Sequence, residues 1–271
     1  MKILNSYLHF KYIIRHLVTD ILYNDIIYRK NFEHNNKTPY IIGISGSVAV
    51  GKSTISKWFK DVLKTFFVTK NISIITTDNF LYSNKILYEL GLIEKKGFPQ
   101  TYNMKQLIKF FLDIRLGVNN IAIPVYSHFF YDIIPNFKKI VYKSDIFIVE
   151  GLHILNPLLY RIKKNNRYIS LNFLNFSIYI DADYLFLKEW YLTRFLKLRY
   201  ISKFYSNSFL NYYSKMSCKD AMNMATKIWY NTNYRNLKEN ILPTRKYADY
   251  IITKNYNHEI NNIQYMNKNN I

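Results

Sequence analysis

Five short apolar runs punctuate the chain, at 39–45, 72–77, 146–149, 176–180 and 250–253. Each is too short for a helix and lacks the polar alternation of a strand with one wet face, so the pattern predicts strands buried on both faces. Between them, at 53–67, 104–116, 184–200 and 218–238, apolar residues recur every three or four positions, which predicts helices. Short buried strands alternating with helices give an α/β sandwich of three layers, a mainly parallel sheet covered by helices on both faces. In such sheets ligands gather at the carboxyl ends of strands, where Asp78, Glu150 and Asp181 fall.

Ahead of the first strand, Leu4, Leu8, Ile14, Leu17, Ile21 and Leu22 recur at helical spacing within 1–28. Residues 1–38 are expected to be an amphipathic helix and connector, 39–258 the main domain, and 259–271 a C-terminal tail. Charged residues interrupt the first segment and no small-residue cleavage site follows it, so it does not read as a secretory signal. No apolar stretch is long enough to span a bilayer, which predicts no membrane partner. With one cysteine, Cys218, no internal disulfide can form, and a reducing cytoplasm fits. The net charge of +20 invites a nucleic-acid reading. Its lysines are scattered and accompany an excess of Asn, Ile, Tyr and Phe, so the expectation is no nucleic-acid partner.

The chemistry starts at Gly46-Ser47-Val48-Ala49-Val50-Gly51-Lys52-Ser53, a complete Walker A pattern between a strand and a helix. Its glycines let backbone N–H groups turn toward a phosphate, and the following helix adds its positive end. Lys52 is placed to reach the β- and γ-phosphates of ATP, and the Ser53 hydroxyl to ligate Mg²⁺. The loop alone does not separate a kinase from a GTPase or a motor ATPase, but no Asn-Lys-x-Asp guanine signature occurs in the chain. Asp78, directly after the second strand, suits a base that takes the proton of an acceptor hydroxyl; a turn cap before Asn79 is the alternative. Glu150 is either a Walker B-type acid at the metal or a solvent-facing strand-end glutamate. Asp181 and Asp183 read as caps of the following helix, which carries Tyr191, Arg194 and Leu198 on one face. Arg194 either stabilises the transferring phosphoryl group or sits in a surface pair.

Taken in order, Gly46 to Thr54, Thr76 to Phe80, Lys95 to Pro99, Pro124 to His128, Tyr131-Asp132, Glu150 to Leu152, Trp190-Tyr191 with Arg194 to Lys197, and Asn240 to Arg245 resemble the bacterial type I pantothenate kinases over 39–258. The resemblance implies a P-loop NTPase-type fold and ATP-dependent phosphorylation of pantothenate to 4′-phosphopantothenate, the first step of coenzyme A synthesis. It makes Asp78 the base, Lys52 and Arg194 the phosphoryl-stabilising cations, and Ser53 with Glu150 the Mg²⁺ site. The loop Gly46 to Thr54 binds ATP, and Asp78, Tyr126, His128, Tyr191, Arg194 and Asn233 line the pantothenate pocket. A homodimer with feedback inhibition by coenzyme A is also implied. Lys57 stands where the family usually has arginine and Leu198 where it usually has phenylalanine, so weaker inhibition is expected. The alignment needs gaps over 202–213, and 1–38 is shorter than the family's N-terminal region. The alternatives are a kinase of another small alcohol, such as a nucleoside, and a basic nucleotide-dependent nucleic-acid-binding protein.

Overall fold

The structure is a computed structural model that describes Arg15 and residues 38–164, 167–170, 172–205, 208 and 210–266, with backbone alone for 161–164 and 167–170. Apart from Arg15, the expected N-terminal helix lies outside the described residues.

All five apolar runs are strands: β1 (Tyr40–Gly46), β2 (Ile72–Thr76), β5 (Ile146–Glu150), β8 (Phe176–Ala182) and β9 (Tyr250–Lys254). They pair in parallel in one sheet of order β10-β9-β8-β1-β5-β2, closed at one edge by β10 (Ile260–Tyr265), which runs antiparallel to β9. Part of the expected C-terminal tail is therefore an edge strand. Every residue of β1 and β5 is buried, as unbroken apolar runs require.

Helix α1 (Lys52–Phe66) packs on β1, β2 and β5. Ile55, Phe59, Val62 and Leu63 recur along one stripe and are buried. Each such side chain contributes about 1.5–3 kcal/mol by leaving water. After β2, the chain makes a tight turn (Thr77–Phe80), the short α2 (Asn84–Glu89), and α3 (Met104–Arg115). Helix α3 drives Phe110 and Phe111 into the core, where Phe111 stacks on Phe173 with ring centroids 4.7 Å apart.

Two hairpins escape the hydrophobic pattern: β3 (Asn120–Ser127) with β4 (Asp132–Tyr142), and β6 (Arg161–Lys164) with β7 (Arg167–Ser170). Pro124 cannot donate to the β3–β4 ladder, and the register shifts between Pro124 and Tyr126. The freed N–H of Tyr126 donates instead to Asn79 Oδ1 at 3.0 Å, which fastens the hairpin to the turn after β2.

Helix α4 (Tyr184–Ser202) begins on Asp183, whose side chain accepts from Leu185 N at 2.8 Å. Asp181 is no cap: it forms a 2.8 Å ion pair with Arg245, a partner too distant in sequence to be read from helix spacing. Following α5 (Asn211–Ser214), α6 runs only from Cys218 to Ile228. The rest of the expected 218–238 helix widens into π-helical turns at Trp229–Tyr234 and Leu237–Ile241. Such turns change which face a residue presents.

Gly151 makes the tightest approach at the sheet end, because a Cβ there would lie 1.9 Å from Thr77 Oγ1. Gly151→Ala is expected to destabilise the protein by about 1–3 kcal/mol through forced displacement of the turn after β2. Urea unfolding measures this, and an unchanged midpoint would contradict it.

Candidate active site

Gly46 and Gly51 adopt φ of 144° and 95°, which side-chain-bearing residues rarely reach, and between them the chain turns back over the end of β1. Helix α1 starts at this loop with no side-chain cap and no acidic residue in its first turn. Its first N–H groups and positive end therefore face an incoming anion without an internal competitor. Lys52 Nζ donates to the carbonyls of Gly46 (3.1 Å) and Ser47 (2.9 Å), folding over the loop it serves.

The sheet register places Ile44 beside Glu150 and Glu150 beside Thr76, so three strand ends lie in one row. Glu150 is 7% exposed, which removes the solvent-facing reading. It accepts from the Ser53 hydroxyl at 2.9 Å and from the side chain of Thr76. Thr76 Oγ1 in turn accepts from Asp78 N at 3.3 Å, tying the turn that holds Asp78 to the Glu150 carboxylate. Burial pushes the Glu150 carboxyl up, and Lys52 and the two hydroxyls pull it back. Burial lowers the Lys52 ammonium, and Glu150 and Asp78 oppose that shift.

The charge of Asp78 reaches Lys52, Lys96, Tyr102, Tyr126, His128, Tyr131 and His153, which places these groups around it. Arg194, on the exposed side of α4, acts on Lys52, Tyr126, His128, Tyr131 and Tyr191, so it shares that cleft rather than a distant surface. Tyr126 and His128 meet edge-on, with centroids 5.2 Å apart. Tyr191 is hydrogen-bonded to Asn233, which sits in the first π-helical turn. All nine side chains expected to act here, Lys52, Ser53, Asp78, Tyr126, His128, Glu150, Tyr191, Arg194 and Asn233, thus fall in one network of hydrogen bonds, ring contacts and electrostatic interactions. Burial holds the His128 ring neutral and keeps the phenols of Tyr126 and Tyr191 protonated, which leaves them as neutral hydrogen-bonding groups.

Sequence reasoning gave no role to several groups that build this cleft. Lys96 is buried, donates to Asn84 Oδ1 and to the carbonyl of Tyr131, and lies 5.1 Å and 4.6 Å from the ring centroids of Tyr126 and Tyr131. It holds Tyr131 in a left-handed conformation, φ 52°, that a bulky residue adopts only when its surroundings enforce it. Burial brings the Lys96 ammonium down to about 8. On the other flank, the buried Lys254 donates to Val50 O at 3.0 Å beneath the phosphate loop and sits over Trp190, on which His258 stacks at 3.9 Å. The only advance signals were the matched Lys95 to Pro99 and Tyr131-Asp132 blocks, since a lysine in a sequence is ordinarily expected in water.

A phosphate loop, a strand-end acid bonded to its serine, and a carboxylate beside both define a P-loop kinase. The sequence profile of the Phosphoribulokinase / Uridine kinase family matches residues 41–199. Pantothenate kinase of Hamiltonella defensa subsp. Acyrthosiphon pisum is 46% identical over 231 residues, covering 85% of this chain and 73% of that protein. Pantothenate kinase of Photorhabdus laumondii is 45% identical, covering 84% of this chain and 72% of that protein. Among solved structures, D-glycerate 3-kinase from Cryptococcus neoformans var. grubii superposes with a TM-score of 0.65 at 11% identity, covering 94% of this chain and 99% of that one, a likeness of fold alone. The chain belongs to the phosphoribulokinase/uridine kinase family and, within it, to the pantothenate kinases.

His153 gives the site a pH signature. Its Nε2 is bonded to Gly97 O at 2.7 Å, and burial lowers it to about 4. His258 is also lowered to about 4. Between about 4 and the ordinary histidine value near 6.5 the unfolded chain binds protons that the native one does not. Stability is therefore full above about 6.5 and is lost as pH falls through that window, by up to about 1.4 kcal/mol per pH unit for the buried His153 and by less for His258, which is exposed and screened by water. Urea unfolding from pH 7.5 to 4.5 should show this slope, and His153→Gln should reduce it; an unchanged slope in the variant would contradict the assignment.

Proposed function

We propose that the chain transfers the γ-phosphoryl group of ATP to the primary hydroxyl of pantothenate, giving 4′-phosphopantothenate at the entry to coenzyme A synthesis. The observation that carries this reading is that the phosphate loop, Asp78 and the side chains of Tyr126, His128, Tyr191 and Asn233 belong to one network of contacts and electrostatic interactions. A polar acid with an amide and hydroxyls needs such neutral donors and acceptors against aromatic surface.

In this reading the loop N–H groups and the α1 terminus hold the β-phosphate, and Lys52 leaves its loop carbonyls for the phosphate oxygens. Asp78 accepts the proton of the acceptor hydroxyl as its oxygen bonds to the γ-phosphorus. The bond from that phosphorus to the β–γ bridging oxygen breaks, and ADP leaves with the bridging oxygen. Lys52 and Arg194 face the charge that spreads over the transferring group. Ser53 and Glu150, an all-oxygen pair already in contact, suit a hard cation and would hold Mg²⁺. That ion would neutralise β- and γ-phosphate charge. Among the described residues no cluster of three His, Cys, Asp or Glu offers a metal a fuller set of protein ligands.

Among the described residues no helix is long and apolar enough to cross a membrane. The exposed free thiol of Cys218 suits the cytoplasm, which we assign as the compartment. A homodimer rests on the resemblance alone. Weakened feedback by coenzyme A rests on Lys57, exposed on α1, and Leu198, half-buried on α4.

Coupled ADP release should occur with pantothenate and not with uridine; turnover with uridine alone would overturn the substrate. Asp78→Asn should lower kcat by about 100-fold or more while ATP still binds. Coenzyme A titrated against ATP should inhibit weakly, and strong competitive inhibition would contradict the reading of Lys57 and Leu198.

A further inference from the structure

Tyr102 follows the turn Pro99–Thr101, and its backbone is bridged to Leu81, just past the turn that carries Asp78. Its ring is 4% exposed and meets the His153 ring edge-on, with centroids 5.6 Å apart. His153 is itself anchored to Gly97 O, which also accepts from the side-chain amide of Asn236 at 2.7 Å. A stack of fixed groups thus runs from Asn236, between the two π-helical turns, to the phenol. Buried hydroxyls need partners. Among the described residues the one this hydroxyl has is Asp78 Oδ1, at 3.4 Å. A bond of that length is usual for a catalytic contact before substrate closes the site. Burial and the nearby Asp78 charge keep the phenol protonated, and so a donor. Among the described residues no other side chain donates to the Asp78 carboxylate.

We propose that Tyr102 is a positioning residue for the base: its O–H, braced by His153, fixes Asp78 through Oδ1 and turns the second carboxylate oxygen to the acceptor hydroxyl. A donor interacts more strongly with a carboxylate than with a carboxylic acid, so loss of the Tyr102 hydroxyl reads out in the acidic limb of the pH–rate profile. The proposal rests on Asp78 being the base.

The test compares the wild-type chain with Tyr102→Phe, His153→Gln and Asp78→Asn, using ATP, Mg²⁺ and pantothenate from pH 5 to 9. Tyr102→Phe keeps the packed ring and removes only the donor. Its kcat should fall about tenfold with KM for ATP unchanged, and the acidic limb of kcat/KM should move up by about one pH unit. His153→Gln, which leaves the hydroxyl in place, should move the limb in the same direction by less, and it decides the matter if Tyr102→Phe fails to fold. A limb that stays put in the folded variants overturns the proposal, even if kcat drops, because a packing role predicts that result. Asp78→Asn separates the two failures. If it is inactive while the limb in the Tyr102 and His153 variants is unmoved, only the Tyr102 role falls; if it retains activity, the base assignment falls and the proposal with it.

Discussion

The parallel pairing of β1, β5 and β2 is the constraint on which the site depends. It sets Ile44, Glu150 and Thr76 side by side, so the phosphate loop, the acid at the end of β5 and the turn bearing Asp78 leave the sheet at one level. Gly151 then passes so close to Thr77 that no side chain fits, which locks the last two together. Shifting one strand by a residue would send Glu150 to the opposite face of the sheet and break its bond to Ser53. The cleft also brings charges into a space with little water. Lys52 and Glu150 are each driven toward neutrality by burial and each restrained by the other. That mutual restraint opposes the effect of burial on both groups, and in the proposed reaction Lys52 exchanges its two loop carbonyls for phosphate oxygens.

Much of this frame was legible in the sequence. The five parallel strands announced themselves because burial on both faces leaves no room for polar alternation, and the loop from Gly46 to Ser53 combines residue types that few other structures require. Asp78 and Glu150 followed from their places at strand ends. For Tyr126, His128 and Asn233, local pattern carried no signal, and only the resemblance pointed to them. Asn233 in particular reads as one more position of a regular helix, and it is the π-helical widening that turns it to Tyr191.

What escaped the sequence has physical reasons. The β3–β4 hairpin is interrupted by Pro124 and carries exposed Lys138 and Lys139, so its alternation fades into what looks like a loop. Strand β10 contains the polar pair Asn261-Asn262, which an edge strand tolerates and a tail would also show. Asp181 pairs with Arg245 through the fold, beyond any local rule. Lys96 and Lys254 are buried cations whose partners are carbonyls, an amide and aromatic faces from remote segments. Their burial is a property of the assembled cleft. The net charge of +20, the loudest feature of the composition, locates nothing in the site by itself.

The central claim is that this cleft joins a phosphoryl group to an acceptor hydroxyl instead of giving it to water. Phosphorus NMR of the full chain with ATP, Mg²⁺ and pantothenate follows both fates at once. The account predicts a phosphomonoester signal that grows one-for-one with ADP and couples to the methylene protons of the primary alcohol. Inorganic phosphate as the sole product accompanying ADP would contradict it.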